Sequence, residues 1–447
     1  MSGDDLREAE RLAPAPPVPE PGRVRSALKL ATIDIGPLKR HRDFRLLFFG
    51  QGVSFFGSMI TYVALPYQAY QLTGSSLVVG LLSLAALGPL LVTAFVGGAL
   101  ADAFDRRRLV QVAEASLALC AGVLALNATL ESPRLWVLFV VGTIMAGLDG
   151  IQRPPLDALT PRLVDRHELV AASALDSFRG NIGMVTGPAV GGILIATLGL
   201  PTTYLIDVAT FGASLGALAL MRAVPPPPGA ARPSLGGIVE GFRYAKSRPE
   251  LVGTYGVDML AMFFGMPLAL FPAFASEFGG AGVLGLMYSA IPAGSLVATL
   301  TSGWTGRVHR HGLAVIWAAA AWGIAIGAVG LAPNLALALV LLGFAGAADM
   351  ISGIFRGTIW NTTIPDHLRG RLAGIEQVSY SAGPLLGNLE AGVVASLAGI
   401  RASIVSGGVL CVVGVAVAAF ALPAFRRYDA REHVALTEPA EPARSSA

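Results

Sequence analysis

The sequence predicts an all-α membrane protein with twelve transmembrane helices in two pseudo-symmetric six-helix bundles. Three observations lead there. The 447 residues are 54% hydrophobic and only 14% charged, against roughly 25% charged in soluble domains. The charges cluster, leaving apolar runs of about 20 residues, the length that crosses a bilayer as a helix. The two halves of the chain also echo each other. Asp149 and Arg153 end the fourth run and precede Pro161–Arg162, while Asp349 and Arg356 end the tenth and precede Pro365 and Arg369. Weak repetition of this kind marks transporters built from two related bundles around a midplane site.

The runs are continuous and rich in Leu, Ala, Val and Gly, unlike the short alternating segments of a β-barrel. Asp4, Asp5, Glu8 and Glu10 precede any apolar run, which is unlike a secretory signal. Residues 1–42 read as a cytoplasmic tail, disordered through its Pro/Ala/Glu-rich part. The spans then fall at 45–71, 77–101, 109–130, 135–153, 169–198 and 202–221, forming an N-terminal bundle over 43–221. A cytoplasmic linker follows over 222–250, opened by the prolines 225–228. Within it, Ile238, Phe242 and Ala245 lie on one side of a possible amphipathic helix resting on the membrane surface. The second bundle, 251–425, holds spans at 251–275, 282–304, 313–332, 335–358, 372–398 and 402–425, and 426–447 form a second cytoplasmic tail.

Basic residues set the direction. One set of loops carries Arg106–Arg108, Arg153, Arg162, Arg166, Arg222, Arg232, Arg243, Lys246, Arg248, Arg307, Arg310, Arg369 and Arg371, while the alternate loops hold only Arg134 and Arg401. Lysine and arginine accumulate on the cytoplasmic side. The expectation is a multi-pass protein of the bacterial cytoplasmic (plasma) membrane with both termini inside. The same bias accounts for the net charge of +3 without any nucleic-acid partner.

Cys120 and Cys411 each lie inside a span, no CxxC or Cys/His group occurs, and the six histidines fall in tails or in loops on one side. No disulfide framework, metal or other cofactor is expected. No G-x-x-x-x-G-K-[ST] occurs to support ATP-driven pumping. A membrane-embedded enzyme, the alternative from a different class, would need a convergent nucleophile, base or metal set, and none is found.

Charges inside the spans are the candidate chemistry, because a charge near the bilayer centre costs about 2.5–3.5 kcal/mol on insertion scales. They are Glu114, Asp149, Asp176, Arg179, Asp207, Asp258, Asp349, Arg356 and Glu390. Asp149/Arg153 are four apart and Asp349/Arg356 seven apart, so each pair shares a helix face. They are cavity groups or partners of nearby arginines in a cytoplasmic gate. Asp176/Arg179 read as a salt bridge. Asp258 has no partner within a turn of its own helix, and Glu390 sits deep in span eleven on a stripe with Glu376, Ser379 or Tyr380, Gly383 and Gly387. These two are the candidate proton carriers. Phe55, Phe56, Tyr62, Tyr67, Phe263, Phe264 and Phe271 either line a pocket for a flat organic ligand or serve packing and lipid contact.

The stretch GGALADAFDRRRLV ends span two with Asp102 and places arginines in the short turn to span three. Gly98, Asp102, Arg106 and Arg107 match the cytoplasmic signature of the major facilitator superfamily, which the chain resembles over about residues 40–425. Ala103 stands where that signature has a basic residue and Asp105 where it has glycine. The resemblance implies the major facilitator fold, and a gating role in which Asp102 and Arg106 lock the outward-open state through the other half. The matching loop in the second half, SGWTGRVHRHG, has no aspartate. In span five, Gly183, Gly187, Pro188, Gly191 and Gly192 resemble the Gly/Pro motif of drug:proton antiporters in that superfamily. Small residues at this spacing also let another helix approach closely, and the proline bends the helix.

GLDG at 147–150, the prolines 225–228 followed by GFRY, and GLMYSAIPAGSLVATLTSG at 285–303 resemble the enterobactin (catecholate siderophore) exporter group and related macrolide effluxers. The span-four arginine usual in drug antiporters is missing from GTIMAG, so one of the acids would have to carry the proton. The resemblance implies a secondary active exporter, working by proton-coupled antiport and alternating access. Its partners would be a small organic substrate, protons and the lipid bilayer. A siderophore is the first substrate class, with multidrug or macrolide efflux the alternative.

Overall fold

The structure, a computed structural model, describes residues 34–225 and 242–431. The greater parts of both tails and linker residues 226–241, with Ile238 among them, lie outside the described residues. The first half contains α1 (Arg42–Thr73), α2 (Ser76–Ala103), α3 (Arg106–Thr129), α4 (Leu135–Asp157), α5 (169–198) and α6 (200–220). The second contains α7 (Pro249–Phe264, resuming over Phe271–Ser276), α8 (Ala281–Leu300), α9 (His311–Val329), α10 (Leu335–Thr363), α11 (Asp366–Ala398) and α12 (Ile400–Ala421). These are the twelve helices of the expected fold.

Several limits differ from the apolar runs, for local reasons. α5 and α6 form one helical run broken only at Gly199, whose φ of 76° and ψ of 170° an L side chain would resist. α11 and α12 meet in the same way at Gly399, with φ 91°. α7 stops at Gly265 ahead of Pro267, which has no N–H to continue the ladder, and restarts at Phe271. α8 ends at Leu300 and runs into a 3₁₀ turn over Ser302–Arg307, so it is shorter than the expected span. α12 ends at Ala421 ahead of Pro423, and α7 already begins at Pro249. In the described end of the linker Ala245 is buried in one cluster with Leu251 and Trp360, whereas Phe242 stays 61% exposed.

Side chains facing outward are apolar, as a lipid solvent demands. Trp136, Leu119, Leu126, Val340 and Phe420 are all exposed. The inside of the first half is polar instead. Gln51 of α1 donates to Glu114 of α3 and to Ser214 of α6 (3.1 Å), and Gln152 of α4 also donates to Glu114 (3.3 Å). Thr61 of α1 and Thr210 of α6 donate to Asp207, and the Tyr204 hydroxyl donates to Gln68 (2.8 Å). Glu114 and Asp207 are fully buried, so these bonds replace the water that Asp207 and one oxygen of Glu114 would otherwise need, while Glu114 Oε2 has no hydrogen-bond partner among the described residues.

The halves meet at one end. Among the described residues, the bonds and close backbone approaches between them all lie away from the arginine-bearing loops. Gly192 of α5 lies against Ala281 and Gly285 of α8, so close that a Cβ at 192 would overlap the α8 backbone. Gly80 of α2 lies against Asn388 and Leu389 of α11, and Gly392 of α11 against Ser76 and Leu77. Asn388 fastens this seam. Its Nδ2 donates to Ser83 Oγ of the first half (3.1 Å), and its Oδ1 accepts from the Ala269 backbone N–H of the second (3.0 Å). Tyr62 of α1 meets Tyr288 of α8 edge to face, with ring centroids 5.4 Å apart. The arginine-poor end is therefore closed. Gly192→Leu is expected to prise it open while leaving each half folded. Spin labels on the arginine-poor ends of α2 and α11 would then report a longer distance in the variant than in the parent, and an unchanged distance would refute the account.

Candidate functional site

The second half buries one arginine in its interior. Arg356 of α10 is only 4% exposed, and its Nη1 pairs with Asp258 Oδ1 of α7. Its Nη2 lies 3.4 Å from Asp349 Oδ1, one heptad back on α10. Asp258 is as buried as the arginine, and Ser379 of α11 donates to its second oxygen (3.1 Å). Asp349 differs, because its side chain remains 36% exposed. Three helices thus converge on a carboxylate–guanidinium–carboxylate cluster. Asp258 sits roughly 14 Å along α7 from Pro249, at 1.5 Å rise per residue. One acid is sealed from the surface among polar partners and the other is partly exposed. Beneath it Tyr255 stacks on Trp360 (5.6 Å), whose indole N–H donates to Thr254 (2.8 Å).

Asp149 lies on α4 in the first half and is exposed. Asp149 and Asp349 are separated by the same interval as Gly199 and Gly399, so the two acids occupy corresponding depths in the two halves. A charged aspartate facing lipid at such depth would be costly. Glu390 is half-buried on α11 near the closed end, two residues from Asn388, and has no bonding partner among the described residues. It is thus remote in the chain and in depth from the arginine cluster.

The gating signature is built into the ends of the helices in the first half. Asp105 caps α3 by accepting from the Arg108 N–H (3.1 Å), and also accepts from the Val224 N–H (3.2 Å). Arg106 is buried and donates to the carbonyls of Ala101 in the last turn of α2 (3.3 Å) and Ala158 at the end of α4 (3.3 Å). Arg107 donates to the Met221 carbonyl at the end of α6. The two arginines therefore supply positive charge where three helices expose carbonyls. Gly97 rather than Gly98 is the glycine pressed on α4, against Gly150 and Ile151, while a Cβ at Gly98 would meet nothing. Asp102 closes the last turn of α2, and its side chain lies outside the described residues.

The Gly/Pro stripe of α5 divides its contacts. Gly183 lies against the Phe55 ring, Gly187 against Met59, and Gly191 against Ile60, all on α1. Gly192 and the Pro188 carbonyl instead meet Gly285 of the other half. Arg179 lies 3.5 Å from Asp176, which also accepts from Thr160 (2.8 Å). This pair lines a cavity of about 290 Å³ with Leu47, Leu156 and Asp157. Among the aromatics, Phe55 is engaged by Gly183, Phe263 and Phe264 meet edge to face, and Phe271 packs on Tyr288. Tyr62 is 47% exposed beside the seam. His41, Asp165 and Glu168 place three potential metal-ligand atoms within 4.8 Å of one another. Both oxygens of Glu168 are already held, one by Arg40 (2.6 Å) and one by His41, so the group is accounted for as an ion-pair network.

Two partners were not evident in the sequence. Arg356 reaches Asp258 across nearly a hundred intervening residues, and an unpaired acid matched with a buried arginine in a corresponding span is the signal that could join them. Asn388, the polar residue on the seam, carries no charge to draw notice.

The chain matches the model of the transmembrane secretion effector family over residues 33–443. It is 31% identical over 388 residues to "Enterobactin exporter EntS" of Shigella boydii serotype 4 (strain Sb227), an alignment covering 86% of this chain and 92% of that protein. Solved structures with the same fold include the nucleoside transporter NupG, with TM-score 0.68, 15% identity, and coverage of 87% of this chain and 100% of that one. Another is a bacterial homologue of the human lysosomal transporter Spinster in an inward-facing, unoccupied conformation, with TM-score 0.61, 16% identity, and coverage of 90% and 100%. This chain is a multi-pass membrane protein of the transmembrane secretion effector family, within the major facilitator superfamily.

Proposed function

We propose that this protein exports a small organic molecule, a siderophore of the catecholate class, in exchange for protons across the bacterial cytoplasmic membrane. Similarity to an enterobactin exporter supports the substrate class. The arginine asymmetry supports the orientation, with both termini in the cytoplasm. The seam is then the outer gate, and the structure corresponds to the state open to the cytoplasm.

One observation carries the coupling. Asp349 is 36% exposed while held 3.4 Å from Arg356, whose other side is committed to buried Asp258; the cost of turning such an acid to lipid favours placing its open edge on water between the halves. Counted over these three side chains, one guanidinium faces two carboxylates, so the trio is net negative until it takes up one proton. Asp349, the exposed member, is where that proton exchanges. An ionised carboxylate accepts hydrogen bonds from hydroxyls, such as those of an iron-free catechol, about twice as strongly as a protonated one, which keeps only part of its acceptor capacity and turns one oxygen into a donor. Asp149 faces the same water from the other half and offers a second acceptor. Protonation therefore weakens cargo binding and cargo weakens protonation, which is the linkage antiport requires. In the cytoplasm-open state cargo binds to the ionised acid. The halves then close inside and open outside, a proton displaces the cargo, and the protonated carrier returns. Asp258 keeps Arg356 in place, while Arg106 and Arg107 hold the helix ends together as the inner gate opens and closes.

Asp349→Asn is expected to lower proton-driven export at least roughly tenfold while downhill exchange of cargo persists. Everted vesicles loaded with candidate siderophores, drugs and macrolides, with and without an uncoupler, measure this and rank the substrates. Uncoupler-sensitive export at the parent rate in Asp349→Asn would exclude that residue as the carrier, and Glu390→Gln in the same assay tests the second acid. Arg356→Leu leaves Asp258 buried without a counter-charge, and the expected cost is about 3–5 kcal/mol. Thermal unfolding should show that loss, and should show much of it restored in the double variant Asp258→Leu/Arg356→Leu. A reporter enzyme fused after residue 229 should be active only in its cytoplasmic form, and periplasmic activity would overturn the orientation.

A further inference from the structure

The chain after α12 folds back onto the start of α9. Phe425 is fully buried, and its carbonyl and the Arg426 backbone press on Gly312, where no side chain would fit. Tyr428 stacks on His311 (6.2 Å, 30°) and its hydroxyl bonds Thr362 of α10 (2.9 Å). The Ala430 N–H donates to the His309 carbonyl (3.0 Å). These contacts fix Arg426 and Arg427 beside Arg310, the residue that precedes α9. The three arginines line a cavity of about 440 Å³ with Leu313 and Asp429.

Asp429 does not neutralise them. Its two oxygens are taken by Arg431, at 3.0 and 2.6 Å, and those bonds hold its carboxyl well below the usual carboxylate range. Among the described residues, Arg310, Arg426 and Arg427 form no ion pair. Three like charges fixed around one cavity repel one another unless an anion joins them. The cavity opens where α9 and α12 leave the apolar layer. Trp317 (71% exposed) lies one turn beyond Leu313 on the same face of α9, and Val417 (61%) and Phe420 (77%) are exposed apolar side chains in the last two turns of α12, just ahead of Arg426. A ligand that is anionic at one end and apolar along its length matches both features.

We propose that this pocket binds the phosphate headgroup of an anionic phospholipid, with its acyl chains lying along Trp317 and Phe420. Guanidinium forks suit phosphate oxygens, and basic pockets between helices at the cytoplasmic surface favour anionic over zwitterionic headgroups. Inorganic phosphate shares the headgroup chemistry but has nothing to place on the apolar faces.

The full chain, delipidated in detergent, would be titrated with phosphatidylglycerol, phosphatidylcholine or inorganic phosphate and followed by native mass spectrometry and thermal unfolding. Phosphatidylglycerol should bind roughly tenfold or more tightly than phosphatidylcholine, and its preference should weaken as salt is raised. Arg310→Ala/Arg426→Ala/Arg427→Ala should abolish the preference, and Arg108→Ala, at an exposed arginine elsewhere on the same surface, should retain it. The single variant Arg427→Gln, at an exposed position, should weaken it if the triple variant does not fold. Equal binding of the two lipids by the parent, a preference that survives the arginine substitutions, or equal stabilisation by inorganic phosphate would each overturn the proposal.

Discussion

A guanidinium sealed among apolar helices must keep negative charge within reach, because removing its partner strands a buried ion. Arg356 imposes that constraint on the second half of this protein. It holds α7 through Asp258, it holds its own helix through Asp349, and Ser379 adds α11 through the same buried carboxylate. The first half solves its interior differently. Amides and hydroxyls from α1, α4 and α6 bond Asp207 and one oxygen of Glu114, with no basic partner for either acid among the described residues. One bundle is thus held by hydrogen bonds to its acids and the other by an ion pair. That asymmetry inside a pseudo-symmetric fold gives the second half a charged cluster in which two buried members adjoin a partly exposed one.

Movement between the halves needs contacts that are close but separable. Backbone against backbone at Gly192/Gly285 and Gly80/Asn388 supplies dispersion and weak Cα–H contacts without interlocking side chains. The few polar bonds on the seam converge on Asn388, so separation exposes little that water cannot satisfy. At the other end Arg106 and Arg107 tie α2, α4 and α6 to one another through helix-terminal carbonyls. The first half can tilt as a body because its inner ends are fastened among themselves.

Most of the architecture was legible because a bilayer admits few solutions. Apolar runs of the right length, the uneven spread of arginines and the repeated acid and glycine positions gave the helix count, the two-bundle plan and the expected direction. The failures have local causes. Gly199 and Gly399 replace loops with single residues, Pro267 interrupts α7, and Pro423 ends α12 early. The candidate site was legible as residue types but not as a constellation. Asp258 looked solitary because helical spacing reveals only partners on the same helix, whereas Arg356 arrives from α10. Asn388 was overshadowed by its neighbour Glu390 because charge, not hydrogen-bonding capacity, stands out in an apolar run.

The glycine joints at 199 and 399 have a mechanical consequence. Each replaces a compliant connection with a single hinge whose backbone angles are tightly specified, so α5 with α6, and α11 with α12, behave as stiff V-shaped levers. The longer arm of each lever, α5 or α11, bears on the seam through Gly192 or Asn388. Any force that parts the seam is passed with little slack to α6 and α12, which lie at the back of each half. Lengthening either joint would let the gate open without carrying the rest of the bundle along.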